Sequence, residues 1–325
     1  MMTRLAVLAG AVLAVVAAAP MPALTPLPAI ALPSVDGRID HLAFDSSAGR
    51  LFVAALGNNT VEVVDVGRAR RITSLPGFRE PQGVAVVPDA RIVVIANGEG
   101  DGVQLIDTAS LAARRAIRLG DDSDNVRYDA AGRRLYVGYG AGALAAIDPA
   151  TGTVTGRVAL AAHPESFQIE PGGTRIFVNL PDARQIAVVD RASMSVTASW
   201  PVTAAAANFP MALDEAGHRL FVGCRRPAKL LVYDTTTGKS VASADIVGDT
   251  DDLFFDSARR RVYVIGGEGF VDVLDVGGAT PSRIYRTATA AGARTGLLVP
   301  ALHRLFLAVP HRGSQGAEIR VFETE

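Results

Sequence analysis

Cysteine is almost missing from this chain: Cys224 is alone among 325 residues. That excludes an internal disulfide and any paired-cysteine zinc or redox motif. Arg225 and Arg226 follow it and could lower a thiol pKa, but a small residue closing a strand is the simpler reading. Lysine is nearly as scarce, with Lys229 and Lys239 only, so the basic charge is almost all arginine, a compositional mark of a GC-rich bacterial genome. No charge of one sign prevails: 32 Lys and Arg face 33 Asp and Glu, a net charge of −1. Bulk attraction to nucleic acid or to an anionic membrane is therefore not expected. Aromatic residues make up 6%. Beyond residue 20 no apolar run is long enough to span a bilayer. What is abundant is apolar residues in general, 49%, with 32 Gly and 18 Pro. That is the composition of a packed chain with many turns, not of a disordered one.

The exception at the N-terminus has the form of a secretory leader. Arg4 supplies the positive charge, and Leu5 to Ala19 form a 15-residue apolar run. Ala17, Ala18 and Ala19 offer small residues for cleavage, although Pro20 blurs the site. An uncleaved anchor is the competing reading. Residues 1–23 are taken as leader and 24–325 as one folded domain, which places the protein in the periplasm or the medium.

A repeat organises the rest. An arginine followed by three apolar residues recurs at Arg50, Arg91, Arg134, Arg175, Arg219, Arg261 and Arg304, with spacings of 41, 43, 41, 44, 42 and 43. A second phrase, an apolar segment ending in an acid, keeps step with it at Asp65, Asp107, Asp148, Asp190, Asp234, Asp275 and Glu323. Each copy holds four short strand-like runs. In the fifth these are residues 209–213, 220–223, 230–233 and 241–246, joined by turns such as Asp214 to Gly217 and Asp234 to Gly238. Four strands per 40–45 residues is the period of a propeller blade, and seven copies predict an all-β, seven-bladed β-propeller of four-stranded antiparallel blades. The seventh copy reaches Glu325 after three strands. Residues 28–35 resemble the segment before the fourth copy, so the N-terminal strand is expected to complete the last blade and close the ring.

The phrases PQGVAVVPDARIVVIAN, VQLIDT and LLVYDTTTGKSVA resemble the YncE-like, YVTN-repeat family of bacterial seven-bladed propellers, over residues 28–325. The resemblance implies an exported binding or repeat protein. Its motifs encode strands and turns, so they say more about fold than about function. WD40-like repeats share the architecture, but their Trp-Asp signature is missing: the single tryptophan, Trp200, precedes Pro201.

Propeller geometry sorts the loops, naming the strands of a blade a to d from the channel outwards. The d–a and b–c connections open on one face. Residues entering strand a there are Asp40 and His41, Gln82, Asp124 and Asn125, His163, Glu165 and Ser166, Asn208 and Phe209, Asp251 and Asp252, and Arg294 and Thr295. Turn-building alone does not call for His, Glu, Gln, Phe and Arg converging on an axis, and convergent polar groups at the mouth of a closed β-structure mark a ligand site. A solvated rim is the bland alternative. The ligand-binding candidates are His41, Gln82, Asn125, Glu165, Asn208, Asp252, Arg225 and Arg294. One divalent ion (Ca, Mg or Zn) is a further expectation, with His41, Glu165 and Asp252 as its ligands. In a metal-dependent hydrolase, lactonase or lyase, His41 or Glu165 would be the base. Arg225, Arg226, Arg294, His311 and Arg312 suit recognition of a carboxylate or phosphate by a small ligand of mixed charge. The acidic runs at 121–124 and 249–252 read as solvated turns, with Asp252 free to pair with Arg294. His218 and His303 fall in turns of the opposite face. The favoured reading is a monomeric ligand- or protein-binding propeller, its partner a small molecule or a periplasmic protein; the alternative is the metal-dependent enzyme at the same mouth.

Overall fold

In the computed structural model, which describes residues 23–100 and 102–325, seven four-stranded antiparallel sheets form a ring. Strands a of blades 1 to 7 are Leu42–Asp45, Pro81–Val87, Ser123–Asp129, Phe167–Ile169, Ala206–Asp214, Thr250–Asp256 and Gly296–Val299. Blade 5 continues through Arg219–Arg226, Ala228–Asp234 and Ser240–Asp245. Among the described residues the only helical pieces are three short 3-10 turns, and no helix is long and apolar enough to cross a membrane.

The two sequence phrases each have a structural job. The acid closing strand c caps the turn that follows. Asp65, Asp107, Asp148, Asp190, Asp234 and Asp275 each accept a backbone N–H two or three residues on, at 2.7–3.2 Å, the Asx-turn geometry. The arginine opening strand b reaches the next blade. Nη1 of Arg50, Arg175 and Arg219 donates to the carbonyl oxygens of Thr108, Thr235 and Val276 at 2.7, 2.5 and 2.6 Å, and Arg261 donates to that of Glu325. The period is thus fixed partly by contacts between repeats.

The core lies between blades, since no single blade can bury both of its faces. Phe177, Ile186 and Val188 of blade 4 pack on Met211, Leu220, Val222 and Tyr233 of blade 5, and equivalent clusters repeat round the ring. Outer strands are polar: Ala113–Arg118 is exposed at five of six positions, with three arginines. Charge on an edge strand discourages edge-to-edge pairing. Cys224 is fully buried and burial pushes its thiol up to about 12, so the lone cysteine is a core residue and not a reactive one.

The N-terminal strand closes the ring. Leu24–Ala31 pairs antiparallel with Glu318–Thr324 as the outer strand of blade 7. It starts and ends four residues earlier than the expected 28–35. The register of the sequence match nevertheless holds, since Ala31 ends this strand as Ala159 ends Thr153–Ala159 of blade 3. Leu32 and Val35 follow as buried turn residues, and Leu32 N–H donates to the Ala317 carbonyl at 2.8 Å. The expected leader lies outside the described residues except for Ala23, which is buried with Leu24 against blades 6 and 7.

Candidate functional site at the channel mouth

Beta-bulges build the site. In four blades strand a is irregular where it enters the ring. Gln82 and Gly83 oppose Ala96 alone, Asp124 and Asn125 oppose Gly138, Phe209 and Pro210 oppose Gly223, and Asp251 is an extra residue between two pairs. A bulge re-aims the side chains beside it. Here the first residue of each bulge (Gln82, Asp124, Phe209 or Asp251) faces a cavity of about 190 Å³ at the mouth. Arg38, Asp122, His163, Glu165, Arg225 and Arg294 complete its wall. Gly83 is required for this: a Cβ there would lie 1.9 Å from the Asp124 carbonyl oxygen.

Of the sequence candidates, Gln82, Glu165, Arg225 and Arg294 line this cavity. Asn125 and Asn208 do not. They are buried in the sheet, with Asn208 Nδ2 donating to Asn179 Oδ1 at 3.0 Å and to the Gln185 carbonyl at 3.2 Å. The bulge puts Asp124 and Phe209 in their place. His41 and Asp252 lie one step further along strand a, where they and Arg127 border a second cavity of about 410 Å³ whose other walls, such as Leu42, Met211 and Leu297, are mainly apolar. The expected pair of Asp252 with Arg294 is not formed. Asp252 Oδ2 lies 3.4 Å from His41 Nδ1 and accepts the Gly296 N–H at 2.9 Å, while Arg294 Nη1 donates to Asp249 at 3.1 Å. The acidic runs are also less solvated than a turn would be, because their bulges carry Asp124 and Asp252 into the ring. His311 sits outside the cavity, exposed, 3.0 Å from Asp36. His218 and His303 are exposed in left-handed turn positions, as expected.

The cavity has two chemical walls. On one side Arg38, Arg225 and Arg294 surround Asp251. Arg225 stacks 3.7 Å above the Phe209 ring, donates from Nε to the Thr250 carbonyl at 2.8 Å and pairs with Asp251. Arg38 donates to Asp40 at 2.7 Å. On the other side stand Asp122, Asp124, His163 and Glu165. Burial, with the Asp124 and Asp251 charges, pushes Glu165 up to about 8. Burial opposes charge on His163, but Asp124 and the Gly140 carbonyl outweigh it and lift the imidazole to about 9. Asp124 is held below its ordinary value: burial opposes this, and His163, His41 and Arg38 prevail. Burial raises Asp251 as well. Deeper in, burial pushes Asp40 up to about 6 against the pull of His41 and Arg38.

Ten buried side-chain polar atoms lack a hydrogen-bond partner among the described residues. Seven belong to residues entering strand a at this mouth: Asp40, Ser123, Asn125, Asn208, Thr250, Asp251 and Arg294. Such atoms are costly and uncommon, and their concentration makes this end of the ring the candidate site. A larger cavity, about 500 Å³, opens between blades 3 and 4 on the opposite face, but its principal charges, Arg191 and Asp129, are paired at 2.6 Å.

Fold and site together define a seven-bladed β-propeller with a polar cavity at one channel mouth. Solved structures agree with the fold. A chain of the mitotic checkpoint complex superposes with a TM-score of 0.79 over 99% of both chains at 14% identity. A chain of Kuenenia stuttgartiensis hydrazine synthase superposes with a TM-score of 0.74 over 92% of this chain and 96% of its own at 16% identity. At such identities the likeness concerns the fold alone. No protein-family model and no curated protein sequence matches the chain.

Proposed function

We propose that this chain is an exported propeller of the YncE-like, YVTN-repeat kind that binds a small molecule of mixed charge at the channel mouth. Its carboxylate or phosphate end lies against Arg38, Arg225 and Arg294, and its polar or cationic end against Asp122, Asp124 and Glu165. The observation that carries this reading is the two-walled cavity of about 190 Å³, which has room for a small metabolite between its arginine and carboxylate walls. Buried Asp251 Oδ2 and Arg294 Nε face each other at 3.9 Å on its arginine wall, too far apart for a hydrogen bond. Arginine forks favour planar anions. The leader-like residues 1–23 support export. In the enzyme alternative Glu165 is the better base, because Asp252 and Asp40 flank both ring nitrogens of His41.

The test is a thermal-shift screen of the full chain against amino acids, dicarboxylates and sugar phosphates. A ligand at a hundred times its Kd stabilises by about 2.7 kcal/mol, a readable rise in melting temperature. The rise should vanish in Phe209→Ala and Arg294→Ala and survive in Arg312→Ala. Hits that both cavity variants retain would place binding elsewhere, and a screen without hits, with capture of a protein at this face, would favour a macromolecular partner.

A further inference from the structure

We infer that Asp124, His163 and Glu165 form a binding site for one first-row divalent metal ion, Zn²⁺ being the representative case. The inference rests on the same mouth cavity as the proposed function but uses its acidic wall alone, where the metal ion takes the place of the ligand's cationic end and the arginine wall remains for an anion.

Three ligand atoms, one from each residue, lie within 4.8 Å of one another. His163 Nε2 is 3.9 Å from Asp124 Oδ2, too far for a good hydrogen bond. Two ligands on one tetrahedral zinc ion stand roughly 3.3–3.5 Å apart, given bond lengths of about 2.0–2.1 Å. Small side-chain rotations close that difference. The imidazole is oriented for the task. Its Nδ1 lies 2.7 Å from the Gly140 carbonyl oxygen and 3.3 Å from Asp122 Oδ2, so Nδ1 keeps a proton and Nε2 is the nitrogen directed at the carboxylates; a metal ion there displaces the proton that Nε2 holds in the imidazolium. A backbone carbonyl or carboxylate behind the distal ring nitrogen is the usual support of a metal-ligating histidine. Gln82 Nε2 in turn donates to Asp122 at 3.4 Å. The Glu165 side chain accepts no hydrogen bond from the described residues, and Asp124, 6% exposed, has the His163 ring 3.9 Å away as its nearest cation. Two largely buried carboxylates that accept no hydrogen bond from the described residues, with an imidazole nitrogen aimed at them, make a site for a cation.

The donor set selects the ion. Calcium takes six to eight oxygens, and magnesium keeps several waters and seldom an imidazole. One nitrogen and two carboxylates suit a first-row divalent ion. Three protein ligands leave at least one position open, on the side of Arg38, Arg225 and Arg294. An anionic ligand held by those arginines could reach it.

The full chain, stripped with EDTA and dialysed, is loaded with ZnCl₂, desalted and analysed for metal; Co²⁺ then serves as a spectroscopic probe. The expected result is about one Zn²⁺ per chain, and visible Co²⁺ bands that change in His163→Gln. Glu165→Gln and His163→Gln should each weaken zinc binding at least tenfold, while His41→Gln and Arg225→Ala keep it. Circular dichroism identifies any variant that has not folded, and either ligand variant suffices. An absence of zinc binding by the wild-type chain, or binding that Glu165→Gln and His163→Gln both retain, overturns the assignment. Arg225→Ala separates the two readings: it should abolish the response to a small anion while leaving the zinc count unchanged.

Discussion

The Nδ1 of His41 lies 3.4 Å from Oδ2 of Asp252, joining blade 1 to blade 6 across blade 7. The same carboxylate oxygen accepts the Gly296 N–H of blade 7 at 2.9 Å. One side chain therefore ties three blades together at the point where the ring closes. Asp40, 3.7 Å from the other ring nitrogen, adds a second negative charge.

This arrangement makes the closure sensitive to alkali. Burial alone would lower the His41 pKa, but Asp252 and Asp40 outweigh it and hold the imidazolium up to about 10, above the ordinary 6.5. A group raised in the folded state stabilises fully below its unfolded value. That contribution falls away between about pH 6.5 and 10, as pH rises through the folded pKa. The melting temperature of the wild-type chain should therefore drop from pH 7 to pH 10 by more than that of His41→Gln. Parallel curves for the two proteins would show that the imidazolium contributes nothing to closure.

The fold was legible because its signals are local and repeated: an arginine before three apolar residues, an Asp ending strand c, and a period near 42 seven times over. The lining of the candidate site was legible only to within a residue. Gln82, Glu165, Arg225 and Arg294 were readable from their loops, but choosing Asn125, Asn208 and Asp252 over Asp124, Phe209 and Asp251 missed by one position each. A strand's side chains alternate sides, so one extra residue changes which of them faces the channel. Nothing in the local sequence announces that bulge except Gly83, whose missing Cβ makes room for the neighbouring blade. No local signal marks Arg38, which precedes its strand by four residues. His163 was visible as a mouth residue, but its partnership with Asp124 joins two blades and no spacing encodes it.

Closure by the N-terminal strand predicts a specific weakness. Leu24 and Ile30 are 2% and 1% exposed, and burying each such side chain is worth about 1.5–3 kcal/mol. Deleting residues 23–31 removes both and bares Glu318–Thr324 as an edge. The truncated protein should melt well below the full chain, and size-exclusion chromatography should show aggregation. A monomer with an unchanged melting temperature would contradict the closure role.

The recurring arginine should matter more than the exposed ones. Arg219 holds Asp214 through Nε and Nη2 at 3.1 and 2.8 Å and reaches the Val276 carbonyl of the next blade. Its guanidinium also lies 5.3 Å from the Phe221 ring centre. Hydrogen bonds to charged groups contribute about 1.5–3 kcal/mol, so Arg219→Met should destabilise by an amount of that order in urea unfolding. Arg79, paired with Glu99 on the surface at 3.2 Å, should cost at most about 1 kcal/mol when changed to Met. Equal losses in the two variants would remove any special role for the inter-blade arginine.

Gly83 links the packing of the ring to the chemistry of its mouth. The Asp124 carbonyl oxygen occupies the place where a Cβ would stand, and that carbonyl belongs to backbone which cannot rotate aside as a side chain would. Gly83→Ala must therefore push strand a of blade 2 away from strand a of blade 3. Overpacking of this kind costs about 1–3 kcal/mol. The displaced residue is Asp124 itself, whose carboxylate shares the acidic wall with His163 and Glu165. The variant should lose stability and zinc affinity together. Gly278→Ala, with no atom within 4 Å of the new methyl group, should leave affinity unchanged and stability within about 0.5 kcal/mol. Loss of stability in Gly83→Ala with zinc affinity intact would show that the metal ligands are positioned independently of the contact between blades 2 and 3.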